Sequence, residues 1–282
     1  MMKRYEDLTF ADDFMFCKVL RNDPALCREL LELVIGEPVG ELVTDEKQYP
    51  IEITPDGKGV RFDVYATDDR TVIYDVEMQN VDRDNLPKRV RYSQGLIDLD
   101  AMERGAHYSE LNKSYVIFIC RFNLWENVGL HRYRFRNICV NKPELELNDG
   151  AEKLFLCTKG TVVDISEDLL RFLRYVADGV IEDDFTERLQ AAVDTAKRNQ
   201  LWRKEFMDWR DHLDDAYHEG YTLGEAAGYE RGETAGYIRA HREAERKECL
   251  VRRMLADGRS EELQAALTEQ TLLEKLFSEY GI

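Results

Sequence analysis

The fold turns on Arg61-Phe-Asp-Val-Tyr-Ala66, a short polar turn, and Thr71-Val-Ile-Tyr-Asp-Val-Glu-Met-Gln79. Read at a period of two, the first run sends Phe62, Val64 and Ala66 to one face and Arg61, Asp63 and Tyr65 to the other, the pattern of a half-buried strand. The second run puts Tyr74, Val76 and Met78 on its apolar face and Asp75, Glu77 and Gln79 opposite. Asp68-Asp69-Arg70 between them reads as a hairpin turn. Two antiparallel strands thus bring Asp63, Asp75, Glu77 and Gln79 to one face. Like charges side by side on a sheet cost up to about 1 kcal/mol per opposed pair. Two readings account for them: the face is solvated, or a hard divalent cation offsets the repulsion. Mg²⁺ takes one or two carboxylates together with waters and substrate phosphate oxygens.

A chain of 282 residues accommodates one sizeable α/β domain and an appendage. Its 44% hydrophobic and 34% charged content fits a soluble protein with strongly charged helices. The amino-terminal residues do not read as a signal peptide and no run approaches a membrane span, so a cytoplasmic protein with no membrane partner is expected. Six cysteines form no CxxC pair and five histidines no HxxxH or HExxH motif, which argues against a zinc or Cys/His catalytic site. The net charge of −17 opposes nonspecific DNA binding by the whole molecule. Bases nevertheless gather at Lys88, Arg89, Arg91, Arg121, Arg132, Arg134 and Arg136. They read either as a basic lip for a phosphate backbone or as solvated faces.

Around the hairpin, a helix is expected from Thr9 to Leu20, and a second from Pro24 to a stop at Gly36 with Leu26, Leu30, Leu31 and Val34 as its stripe. Glu41 to Thr54 reads as extended or irregular. Glu46 and Gln48 fall near the acidic face if this segment pairs with the 61–66 run. Pro87 opens a helix to about Arg104, Ser114 to Cys120 reads as a central strand, and further strands are expected at Leu130 to Val140 and Lys153 to Thr158. From Ser166 the chain turns helical, with one helix carrying Leu169, Leu173 and Val176 and another running from Asp184 to Tyr217.

Glycine then recurs every fourth residue, at 220, 224, 228, 232 and 236. Each glycine costs a helix about 1 kcal/mol relative to alanine. The segment is either a helix whose glycine ridge admits a second backbone, suiting a homo-oligomer, or a polar tether. Arg239 to Asp257 reads as a charged helix ending at Gly258, and Ser260 starts another that is broken near Thr271.

Asp63, then Glu77-x-Gln79 at the end of an apolar strand, then Lys88, Arg89, Tyr92 and Ser93 opening a helix, resembles the PD-(D/E)XK nuclease superfamily. More narrowly, the chain resembles the recombination-promoting nuclease and transposase family, from Leu8–Phe16 through Tyr115–Ile119 and again in the carboxyl-terminal third. The resemblance implies an α/β, restriction-endonuclease-like αβββαβ core with a mixed central sheet, followed by a helical extension. The expected parts are a nuclease-like domain over 1–182, a helical extension over 183–216, the glycine repeat over 217–239 and a helical segment over 240–282.

It also implies a DNA endonuclease that hydrolyses phosphodiester bonds with Mg²⁺, or Mn²⁺ in its place, and a link to recombination or mobile-element processing. Asp63, Glu77 and the backbone carbonyl of Met78 would bind the metal. Gln79 stands where the superfamily usually has lysine, although glutamine is usual in the narrower family. Lys88 and Arg89 are the candidates for phosphate contact; Asp13, Glu46 and Asp75 are auxiliary acids. The competing expectation is a catalytically weak nuclease fold that binds DNA or assembles into an oligomer.

Overall fold

The computed structural model describes residues 3–43, 50–51, 60–61, 63–82, 85–102, 105–257, 259, 262, 266 and 269–282. Two compact units divide the chain, Met1–Phe206 and Met207–Ile282.

The first unit opens with helix α1 (Asp13–Asn22). It starts later than Thr9 because the Asp12 carboxylate accepts the Thr9 N–H at 2.7 Å and hydroxyl at 2.9 Å, folding these residues into a turn ahead of the helix. Helix α2 (Pro24–Ile35) follows the expected pattern. The Asp23 side chain accepts the Leu26 N–H, proline sits in the first turn, and Gly36 ends the helix at φ +77°, a left-handed conformation that favours glycine.

The strands are β1 (Leu42–Val43), β2 (Pro50–Ile51), β3 (Val60–Arg61), β4 (Val64–Asp68), β5 (Ile73–Gln79), β6 (Ser114–Cys120), β7 (Arg132–Phe135), β8 (Ile138–Cys139), β9 (Lys142–Glu146) and β10 (Ala151–Cys157). Six of them form a mixed sheet in the order β1-β4-β5-β6-β10-β7. The β4–β5 hairpin is antiparallel, with Val64 opposite Val76 and Tyr65 opposite Asp75, whereas β5, β6 and β10 run parallel. The 41–54 segment does reach this sheet, through β1 against Thr67 and Asp68 of β4; Glu46 and Gln48 lie outside the described residues. So does Phe62.

Asp68 closes the hairpin as a buried hub. It accepts the N–H groups of Gly40, Arg70 and Val72 and the Tyr74 hydroxyl at 2.9–3.1 Å. Burial pushes its carboxyl upward, but these donors together hold it below its ordinary range.

Alternation on β5 sorts its side chains between two cores. Tyr74, Val76 and Met78 join α1, α2, α4 (Glu167–Asp178) and α5 (Asp184–Arg198) on one face. Ile73 joins Val116, Phe118, Phe155 and helix α3 (Leu86–Ala101) on the other. Asp75, Glu77 and Gln79 share that second face, and all are buried, which overturns the solvated reading of the strand.

The single helix expected from Asp184 to Tyr217 is two. Asn199 ends α5, and its side-chain oxygen accepts the N–H groups of Leu201 and Trp202, starting α6 (Gln200–Ala256). The glycine repeat lies within α6, and the 239–257 segment continues that helix rather than forming its own. In the second unit, Leu250 and Met254 of α6 pack with Leu273, Leu276 and Phe277 of α7 (Gln270–Tyr280), and the Arg246 guanidinium lies 4.3 Å from the Phe277 ring centroid. Among the described residues no helix is long and apolar enough to cross a membrane.

Candidate active site

The carboxyl end of β5 and the chain entering β4 bring the predicted acids together. One residue ahead of β4, the Asp63 N–H donates to Glu77 Oε1 at 3.4 Å, and the Met78 N–H donates to Asp63 Oδ2 at 3.1 Å. Arg21, in the last turn of α1, clamps the Asp63 carbonyl with Nε at 3.0 Å and Nη2 at 2.7 Å. The acids are therefore fixed by backbone on neighbouring strands.

Arg89 enters from the first turns of α3. Its Nη2 donates to Glu77 Oε2 and its Nη1 donates to Gln79 Oε1 at 2.9 Å, while its guanidinium lies 5.3 Å from the Phe118 ring centroid. Gln79 Nε2 donates to the Val81 carbonyl at 2.7 Å, so both ends of the amide are engaged. Asp75 is fully buried and neither of its carboxylate oxygens has a hydrogen-bond partner. A buried carboxylate without a partner is costly and calls for an explanation.

Arg89 faces all three carboxylates, and Arg21 acts on Asp63 as well. Burial, and then the neighbouring Asp13 charge, pushes Asp63 up to about 6. Burial, and then Asp63, raises Glu77 although Arg89 pulls against the shift; burial, Glu77 and Asp63 raise Asp75 well above its ordinary value. Shifts of this size, caused by desolvation and specific charged neighbours, are characteristic of functional sites.

The stretch 10–156, which holds this cluster and the strands that carry it, matches the family model of the PD-(D/E)XK nuclease family transposases. The chain belongs to that family. No curated protein and no solved structure matches it. Membership accounts for the mixed sheet flanked by helices, and it assigns this transposase-family domain to a nuclease lineage whose members use divalent metals and act on DNA.

Within this nuclease-family domain the remaining predicted residues fall as follows. Asp13 reaches the edge of the cluster, where its Oδ1 accepts Asn80 Nδ2 at 3.2 Å, and loss of hydration raises its carboxyl. Lys88 is exposed beside Arg89. The Met78 side chain lies in the opposite core, leaving only its backbone at the acids. Glu46 lies outside the described residues. Arg21 and Asn80, which tie α1 to the site, escape a reading of the sequence because their targets include the backbone carbonyls of Asp63 and Ala11.

Among the described residues no group of three or more His, Cys, Asp or Glu side chains is disposed as a metal cage. Mg²⁺ does not need one. Two hard carboxylates with a backbone oxygen, waters and phosphate satisfy it, and the unpartnered Asp75 oxygens with the mutual repulsion that, after burial, raises Asp63 and Glu77 are features a cation would relieve.

Proposed function

We propose that the protein is a Mg²⁺-dependent DNA endonuclease, able to use Mn²⁺, that hydrolyses phosphodiester bonds during recombination or mobile-element processing. The observation that carries this reading is the convergence of Asp63 and Glu77, each fixed through backbone N–H groups, inside the stretch matching the nuclease family. Asp63, Glu77 and the Met78 carbonyl would hold the ion. A divalent cation there supplies Lewis acidity and a bound water of lowered pKa.

The chain's own groups do the rest. Arg89 places a permanent positive charge beside Glu77, where the superfamily's usual lysine would act and Gln79 cannot. Gln79 in turn orients Arg89 through its carbonyl oxygen. Lys88, exposed at the start of the same helix, meets the phosphate backbone alongside. Asp75 lies beside Glu77 on the same face, out of reach of solvent.

Incubating supercoiled plasmid with the protein, with and without Mg²⁺, tests the proposal. Metal-dependent nicking that drops by about a thousandfold in folded Asp63→Ala and Glu77→Ala variants is the expected outcome. A folded wild type that nicks no DNA form with Mg²⁺ or Mn²⁺ would sink it.

A second reading has an observation of its own. All five glycines of the α6 repeat are exposed, and a Cβ at any of them would meet nothing within 4 Å. Tyr221, Tyr229 and Tyr237 flank them at 63%, 75% and 72% exposure. Such a surface suits close approach of a second copy, so the nuclease is proposed to work as a homo-oligomer.

A further inference from the structure

Helix α3 roofs the sheet over β5 and β6 and leaves the β10–β7 side of the same face partly open. There a cavity of about 220 Å³ lies between Pro87, Val90 and Arg91 of α3, the loop residue Trp125, and Phe135, Lys153 and Phe155 of β7 and β10. Register puts it there: Lys153 pairs with Phe135 and Phe155 with Tyr133, so alternate residues of both strands turn to the α3 face. The rings form an aromatic corner. Trp125 meets Phe155 edge-on at 5.4 Å, Phe135 meets Phe155 edge-on at 5.8 Å, and Trp125 and Phe135 are 5.4 Å apart. Phe135 remains 44% exposed, an unusual state for an aromatic side chain packed against two other rings, Trp125 and Phe155.

Two features say what would occupy this corner. Arg91 and Lys153 flank it, and neither is ion-paired to an acid among the described residues, in a chain whose net charge is −17. Packed side chains also link the cavity wall to the acid cluster. Phe155 stacks on Phe118 at 5.9 Å, Phe118 lies under Arg89, and Arg89 holds Glu77. The same first turns of α3 serve both places.

We infer that this corner binds one unpaired nucleobase of the nucleic acid whose backbone lies at the Asp63–Glu77 cluster, an inference that rests on the nuclease reading. Aromatic side chains stack on any base, whatever its sequence, and cations beside them engage the flanking phosphates. An apolar protein segment would use the rings and leave both cations without a partner. The site therefore selects bulged, flipped or single-stranded DNA over a continuous duplex.

The test is fluorescence anisotropy in EDTA at fixed salt, which reads binding without cleavage. A labelled duplex carrying a one-nucleotide bulge is compared with its fully paired counterpart. Wild type should bind the bulged duplex roughly tenfold more tightly. Phe135→Ala, at an exposed edge-strand position, should erase that preference with paired-duplex affinity unchanged, and Phe135→Tyr should restore it. Arg91→Glu with Lys153→Glu should weaken both complexes. A wild type that binds or nicks paired DNA with no preference for the bulge overturns the inference, leaves the nuclease reading standing and gives the corner to a protein partner. A preference that survives in folded Phe135→Ala overturns it equally. Absence of both binding and nicking overturns the two readings together.

Discussion

The central sheet carries a charged cluster at each end, and the two are built in opposite ways. At the amino end of β6 and β10, Glu37, Lys113, Arg134 and Glu152 balance charge for charge. Arg134 pairs with Glu37 at 2.7 Å and also with Glu152, Lys113 lies 3.5 Å from Glu152, and Tyr115 adds its hydroxyl to Glu37 at 3.2 Å. Burial lifts the Glu152 carboxyl, but Arg134 and Lys113 outweigh it and hold the group low; the Arg134 hydrogen bond does the same for Glu37. At the carboxyl end of β5, Asp63, Asp75 and Glu77 share Arg89, Arg21 adds its charge at Asp63 only, and all three are still raised. A balanced cluster completes the fold of a free chain. An unbalanced one is completed by something that binds.

Breaking the balanced end should have the largest effect on stability. Arg134→Ala leaves Glu152, 7% exposed, with Lys113 only, and should cost about 2–3 kcal/mol in urea denaturation, discounted from the buried-pair range because Arg134 is partly exposed. The equivalent removal at the acid end should have the opposite sign. Asp75→Asn removes a buried titratable carboxyl that has no hydrogen-bond partner and should make the metal-free protein more stable at pH 8.

The same asymmetry predicts two slopes against pH. Folded Asp63 and Glu77 titrate above their unfolded values of 3.8 and 4.5, at about 6 and about 8, so the folded state holds more protons than the unfolded one across that window. Their burial costs nothing below about pH 4 and weakens the metal-free protein progressively up to about pH 8. Glu37 and Glu152 behave conversely, contributing stability above their unfolded values that is lost as pH falls. Denaturation at pH 5, 6.5 and 8 in EDTA should show the acid-end slope, and Asp75→Asn should flatten it. Mg²⁺ at a hundredfold its dissociation constant should restore about 2.7 kcal/mol, most visibly at pH 8. A metal-free protein equally stable at pH 5 and pH 8 would contradict this account of the cluster.

The acid end was legible in the sequence and the aromatic corner beside it was not. Alternation on Thr71–Gln79 places Asp75, Glu77 and Gln79 on one face without knowledge of any partner strand, and the hairpin delivers Asp63 to them. Arg89 could be located at a helix start, but its choice of Glu77 over solvent depends on the Phe118 ring beneath it, one strand away. The contact between Phe118 and Phe155 requires β10 to lie parallel to β6, although β7, β8 and β9 come between them in the chain. Asn199 sits inside a run of helical residues and reads as helix until its side chain is seen capping α6. Local period reports faces; pairing order, which sets neighbours, is a tertiary outcome.

Arg89 links the two views and separates them by experiment. Arg89→Ala should lower nicking by about a hundredfold, as loss of a charge-stabilising donor does, and should also lower the Mg²⁺ concentration needed for half-maximal activity, because Glu77 loses its competing cation. Arg89→Lys should recover part of the rate. Nicking and metal dependence both unchanged would show Arg89 to be a structural counterion only, making the acid end resemble the balanced one.

The smallest expected effect concerns a second unbalanced feature, the α6 glycines, which like Asp75 incur a cost that nothing among the described residues offsets. Because a Cβ at Gly224 or Gly228 meets no atom within 4 Å, alanine at each should raise the stability of a free helix by about 1 kcal/mol. If a second copy packs on this ridge, the same methyl groups hold the two backbones apart and the double variant Gly224→Ala/Gly228→Ala should dissociate the oligomer. Sedimentation and a thermal melt read the two effects separately. A stabilised variant whose mass is unchanged assigns the glycines no packing role, whereas a stabilised monomer derived from an oligomeric wild type identifies what completes them.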